Sequence, residues 1–273
     1  MAVKPKTGWS SLALLVIVAV YILLPMLATL LYSIATSWTT NPLPEGYTAA
    51  HWNEAARNDR FMAVLSRSML LGIAVAAATV ALALPAIYWQ RIRTPQLRLV
   101  LQVLAAVPLT LPILVIALGL LQFSGDYLPA IQGSIGLLFA AHIAIAFPFV
   151  YWSLDNSMAA ARVDLLSEAA RTCGAGPVAV MSDVILPNIT PGIATALIMA
   201  FGTSFNEVAL AQMLIGTRFE TVQLYLLNML KGADANYNLL AVMTVINFVV
   251  TLILSTIVIW LNGNAMTGGE IEK

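Results

Sequence analysis

Cysteine is nearly missing from this 273-residue chain. Cys173 stands alone, so no intrachain disulfide can form and no paired-cysteine metal site exists. Histidine is almost as scarce: His51 and His142 lie far apart, with no H-E-x-x-H spacing of the kind that holds zinc. Charge is scarce as well. Lys, Arg, Asp and Glu make up 10% of the residues and cancel to a net charge of zero, which gives no pull toward nucleic acid. The chain has no G-x-x-x-x-G-K-[ST] phosphate loop and no G-x-S-x-G nucleophile turn. It also has no Ser/Gly-rich linker, and no segment long and polar enough to be a nucleotide-binding domain. These absences point to movement rather than covalent catalysis, with no cofactor held by this chain.

Apolar residues are abundant. The chain is 60% hydrophobic, with a mean hydropathy of +0.88. Six runs reach the roughly 20 residues that a bilayer core requires: about 11–35, 67–89, 99–121, 135–154, 191–215 and 238–261. The first, third and sixth hold no charged residue at all. The expectation is an all-α membrane protein with six transmembrane helices in a single domain, 1–273. The apolar run after Lys4 and Lys6 continues past Leu31, too long for the h-region of a cleaved signal peptide. With the N-terminus inside, six spans put the 90–98 link, the 155–190 loop and the C-terminus inside too. That side then holds Lys4, Lys6, Arg91, Arg93, Arg98, Arg162, Arg171 and Lys273, against Arg57, Arg60, Arg67, Arg218 and Lys231 outside. The arginines of the short link weigh most in this balance.

Residues 41–46 read as turns, and 50–66 as an amphipathic helix lying along the membrane surface, with His51, Trp52, Phe61 and Leu65 near one face. Prolines at 25, 85, 108, 112 and 148 predict bent spans. Pro108 and Pro112, one turn apart, are expected to break or kink the third. Gly72, Ala74, Ala76, Ala77 and Ala78 suit the second span to close helix packing.

Residues 155–190 carry Asp164, Glu168, Arg162, Arg171 and Asp183, too many charges for hydrocarbon. Leu165, Leu166, Ala169 and Ala170 recur there at helical spacing, as in a short helix built to dock on a partner. Glu168-Ala169-Ala170, then Gly174, then Val184-Ile185-Leu186-Pro187 resembles the EAA loop of ABC importer permeases, with Val184 where that family usually has Ile. The resemblance implies a type I ABC importer permease fold. In it, a cytoplasmic coupling-helix loop of two short helices, with Leu165, Glu168, Ala169, Ala170, Gly174, Leu186 and Pro187, fits a cleft of the ATPase subunit. Gly174 suits a left-handed turn that lets the chain reverse into a second short helix. Pro191 suits the first turn of the fifth span.

Further stretches resemble the spermidine/putrescine-type branch: Ala141-His142 ahead of Phe147-Pro148-Phe149-Val150, Ser204-Phe205-Asn206-Glu207-Val208, and Asn238-Leu239-Leu240-Ala241. Two positions depart from that pattern. Asn206 replaces a frequent acid, and Gln223 stands where a Pro is common after the Thr. Iron(III), thiamine and aminoethylphosphonate permeases share much of it. Glu207 is the one carboxylate inside a predicted span, either facing a solute path, or buried and satisfied by Asn206, Ser204 or a partner-subunit donor, or near enough to the outer surface to be wet. His142 is either a hydrogen-bonded packing residue or a solute contact. Asn206, Glu207 and His142 are the candidate substrate-pathway residues.

The expected protein is a multi-pass permease subunit of the bacterial inner membrane, with both termini cytoplasmic, importing a small organic solute of polyamine-like character. The resemblance implies as partners an ABC ATPase dimer that holds the ATP and magnesium, a second permease, identical or related, and an extracytoplasmic solute-binding protein. Membrane lipid surrounds the chain and no nucleic acid is involved. A secondary transporter would instead need mid-membrane coupling carboxylates and inverted repeats, and only Glu207 is found. A structural anchor would need no docking loop.

Overall fold

The computed structural model describes residues 9–38, 41–232 and 235–267. Lys4, Lys6 and Lys273, used in the charge balance, lie outside the described residues. The elements are helical: α1 Trp9–Ile34, α2 Ala50–Ala56, α3 Asp59–Ile92, α4 Leu97–Thr110, α5 Ile113–Tyr127, α6 Ile135–Ala160, α7 Val163–Thr172, α8 Pro177–Ala179, α9 Leu186–Phe205, α10 Ala209–Leu214, α11 Val222–Lys231 and α12 Tyr237–Thr267. A single antiparallel bridge, Ala35 to Tyr47, is the extended pairing among the described residues. Among the described residues, five helical stretches are long and apolar enough to cross a membrane, and α4 with α5 forms a bent pair that supplies a sixth if it is one span.

The chain divides into two compact units: residues up to Met62 together with Leu226–Val249, and Ala63–Tyr225 together with the chain from Val250 onward. In the first, α1 leads into a small hairpin. Thr36 N donates to Gly46 O at 2.9 Å and Thr48 N to Ile34 O at 2.7 Å. The Asn238 amide donates to Tyr32 O at 3.0 Å and Ala35 O at 2.9 Å. It thereby adds a donor to carbonyls at and just past the end of α1. The stretch 50–66 is not one amphipathic helix. It breaks at Arg57-Asn58, because Asn58 Oδ1 accepts from Phe61 N at 2.9 Å and so caps a new helix, α3. Phe61 and Leu65 are buried in α3, whereas His51 and Trp52 stay half-exposed in α2.

The second unit is built around α6 packed along α9. Its close approach is at Gly192, where any side chain would collide with Ser157, and Ser153 Oγ donates to Gly192 O at 3.0 Å. Gly72 of α3 meets the Phe201 ring in the same way: an added Cβ would lie 2.9 Å from it. The small residues of the second run thus do the packing expected of them at Gly72.

Two expected spans are drawn differently. The third, 99–121, is broken into α4 and α5, which meet at 104°. Only Pro112 breaks it. Leu111 takes an extended conformation (φ −98°, ψ 136°), as the residue before a proline must when Cδ excludes the helical region, while Pro108 is accommodated inside α4. The fifth, 191–215, begins earlier and stops sooner. The chain turns helical at Pro177, passes through a π-helical turn at Val180–Ile185, and continues as α9 to Phe205. The expected second short helix, Pro177–Ala179, is not set apart from the span but runs on into it, and Pro187, which has no N–H to donate, falls where the π-helical turn gives way to α9. Beyond Phe205 the helix breaks at Asn206–Val208, before α10.

Candidate functional site

The first candidate surface is α7. Arg162 enters it in a left-handed conformation (φ 49°). Val163 and Ser167 then turn inward and are fully buried, while Leu165, Glu168 and Ala169 point out. Leu166 and Ala170 lie between, half-buried. Of the residues expected to dock, Leu165 and Ala169, four apart, lie exposed on either side of Glu168. Leu165 is 56% exposed, a large apolar side chain left open among the described residues.

The end of α7 is a Schellman cap. Ala175 N donates to Ala170 O at 3.0 Å and Gly174 N to Arg171 O at 2.9 Å, with Gly174 at φ +86°. No atom lies within 4 Å of the position a Gly174 Cβ would occupy, so the glycine serves the backbone turn rather than a close contact. Cys173 beside it is exposed. Leu186 is half-buried and Pro187 exposed, on the first turn of α9. On its inward side α7 is tied to α3 by Ser167 Oγ and Tyr88 OH, 3.2 Å apart.

Two residues near α7 are not recognisable as a pair from the sequence. Arg91 Nε donates to Asp155 Oδ1 at 2.9 Å, and Arg91 Nη2 to Asp155 O at 2.6 Å. The one signal is Asp155 itself, an acid closing the apolar run of α6. Such a group needs a cation when half out of water.

The second candidate is the break after α9. Glu207 is 7% exposed and its carboxylate turns back onto the backbone. Oε1 accepts from Ala209 N at 2.8 Å, and Oε2 from Leu210 N at 2.8 Å and Ala211 N at 3.4 Å. The side chain therefore satisfies the N–H groups that the start of α10 leaves unpaired. His142 of α6 is fully buried. Its Nδ1 lies 2.8 Å from Ser204 Oγ, and its Nε2 lies 3.8 Å from Glu207 Oε2 with no hydrogen-bond partner. Asn206 is exposed. It donates to Gly202 O at 3.0 Å and accepts from Gln223 Nε2 at 3.1 Å, so the two positions that depart from the polyamine pattern are bonded to each other. The structure thus brings Asn206, Glu207, His142 and Ser204 together at one helix break, with only Asn206 open. Groups of three or more His, Cys, Asp or Glu able to hold a metal are absent among the described residues.

The described residues form helices, several of them apolar enough to cross a membrane and one charged and exposed between two of these, the architecture of a multi-pass membrane protein. The chain belongs to the family described as binding-protein-dependent transport system inner membrane component, which it matches over residues 84–265. It is 31% identical over 177 residues to an ABC transporter permease protein, ORF1, of Streptomyces antibioticus, covering 63% of this chain and 74% of that one. It is 24% identical over 122 residues to the spermidine/putrescine transport system permease protein PotC of Haemophilus influenzae, covering 44% of this chain and 47% of that one. Its fold resembles a bacterial ABC transporter involved in importing the acidic polysaccharide alginate, with a TM-score of 0.70 at 15% identity, over 94% of this chain and 98% of that one. Members of the family are transport subunits, not enzymes, and this one is a multi-pass inner-membrane protein.

Proposed function

We propose that this chain is half of the translocation path of an ATP-driven, binding-protein-dependent importer of a small organic solute. Six spans, with α4 and α5 counted as one bent crossing, put both termini and α7 on the cytoplasmic side, as the arginines of the 90–98 link favour. ATP and magnesium are bound by a dimer of separate ATPase subunits. A second permease completes the path, and an extracytoplasmic binding protein delivers the solute.

The observation that carries this reading is the exposed face of α7. Leu165, Glu168 and Ala169 stand open at the E-A-A spacing, ahead of a glycine in the left-handed turn. The small Ala169 beside an exposed leucine, with half-buried Ala170 behind it, fits a groove, and Glu168 fixes register through a basic group across it. Ser167 and Tyr88 carry the movement of α7 into α3. The test is Glu168→Ala in the assembled transporter. Co-purification of the ATPase, or its stimulation by loaded binding protein, is expected to fall several-fold at equal membrane abundance. Full assembly and full stimulation would refute the coupling role.

A polyamine-like solute is the first reading of the cargo, supported by the resemblance at 141–150, 204–208 and 238–241. The path then runs past Asn206, with Glu207 and His142 supporting the wall behind it. A second reading, a neutral or anionic solute, is favoured by the state of Glu207. Both of its oxygens are engaged by backbone N–H groups, which leaves little for a passing cation. Uptake of labelled spermidine that depends on this chain decides between the two.

A further inference from the structure

The turn between α3 and α4 concentrates positive charge that the coupling and pathway readings leave unused. Arg91, Arg93 and Arg98 fall within eight residues. Arg91 is taken by Asp155. Arg93 and Arg98 form no ion pair among the described residues. The Arg93 guanidinium lies 5.8 Å from the ring centroid of Trp89, which is itself 55% exposed. Arg98 borders a cavity of about 170 Å³ with Gln90, Arg91, Pro95 and Asp164. Asp164 does not pair with either free arginine, so the three arginines outweigh Asp155 and Asp164 by one charge. Immediately beyond, Leu99 is 69% exposed and Val100 51%.

We propose that this turn binds the headgroup of an anionic phospholipid, with Arg93 and Arg98 on the phosphate and Leu99 and Val100 against the acyl chains. An amphipathic aromatic ring (Trp89), cations (Arg93 and Arg98) and bare aliphatic side chains (Leu99 and Val100) fall within a dozen residues, the groups that meet a bilayer at its headgroups and at its hydrocarbon edge. Arg93 held over the Trp89 face keeps its charge at headgroup level without a protein partner. A soluble ATPase would meet the charges but would leave the aliphatic side chains uncovered.

The test titrates the purified full-length chain with phosphatidylglycerol or phosphatidylcholine and counts retained lipid by native mass spectrometry. Wild type is expected to prefer phosphatidylglycerol, R93Q/R98Q to lose about fivefold in affinity per arginine removed, and R93K/R98K to keep most of it. Equal retention of the two lipids by wild type would overturn the proposal. So would unchanged phosphatidylglycerol binding by R93Q/R98Q. If R93Q/R98Q folds poorly, wild type alone decides. Brominated phosphatidylglycerol must quench the part of the fluorescence that Trp89→Phe removes, and must do so more strongly than brominated phosphatidylcholine. Equal quenching refutes the site.

Discussion

Arg91 near the end of α3 holds Asp155 of α6 at two points, the side-chain carboxylate and the main-chain carbonyl. Two further links lie beside it: Tyr151 OH donates to Gln90 Oε1 at 3.3 Å, and Tyr88 OH meets Ser167 Oγ at 3.2 Å. Tyr88, Gln90 and Arg91 thus pin one end of α3 to both α6 and α7, the helix proposed to face the ATPase. The Arg91 and Asp155 side chains are 17% and 9% exposed, so losing one partner leaves a charge with little water to replace it. Asp155→Ala is expected to destabilise the solubilised protein by about 3 kcal/mol. Asp155→Asn should cost less, because the carbonyl acceptor and a side-chain oxygen remain. Thermal unfolding in detergent measures both, and a wild-type melting temperature for Asp155→Ala would remove the pair from the stability of this unit.

Glu207 makes a different prediction from the one a path-lining acid would make. As the cap of α10 it holds backbone donors, so Glu207→Ala should lower stability by about 1–2 kcal/mol and reduce subunit abundance in the membrane. Glu207→Gln, which keeps one good acceptor, should do less. Uptake per assembled subunit should stay near wild type in Glu207→Gln. A loss of uptake at full abundance would instead put the carboxylate in contact with solute.

Length and composition made the helical membrane class legible, because uncharged apolar runs of span length seldom occur outside a bilayer. The α7 surface was legible for the same kind of reason: charges, small residues and one glycine recur at fixed spacing. The role of Glu207 was not. Its neighbours along the chain are polar, which reads equally well as a wetted face. Only the break at Asn206–Val208 shows that the acid turns back onto the next helix. The single bend at Pro112 was half legible, since Pro108 and Pro112 look alike in the sequence and packing decides which one the helix absorbs. The Arg91–Asp155 pair joins residues 64 apart, and no local pattern announces such a pairing.

Topology can be checked with single cysteines in a Cys173→Ser background. Leu43 is exposed in the hairpin and Gly176 in the turn after α7. Leu43 is a better probe than Gly46, where an added Cβ would lie 2.8 Å from Thr36 Oγ1. In intact cells a membrane-impermeant thiol reagent should label Leu43→Cys and spare Gly176→Cys until the cells are opened. The reverse pattern would place α7 on the outer side and end the coupling reading.

Gly174 separates a backbone role from a contact role. Its φ of +86° lies in a region that side chains with Cβ enter at a cost, while the space around it is open. A backbone role therefore ranks substitutions by left-handed propensity rather than by size. Gly174→Asn should be nearest to wild type, since Asn tolerates this region best among the non-glycine residues. Gly174→Ala should cost about 1 kcal/mol in the turn, and the β-branched Gly174→Val more. Gly174→Asp should keep much of the turn but add a charge to the exposed surface, so its effect should fall on ATPase coupling more than on folding. Abundance in the membrane and ATPase stimulation, measured together for the four variants, give two orderings. If abundance and stimulation both track side-chain volume alone, with Asn as damaging as Val, then Gly174 is buried against the ATPase and its left-handed turn is incidental.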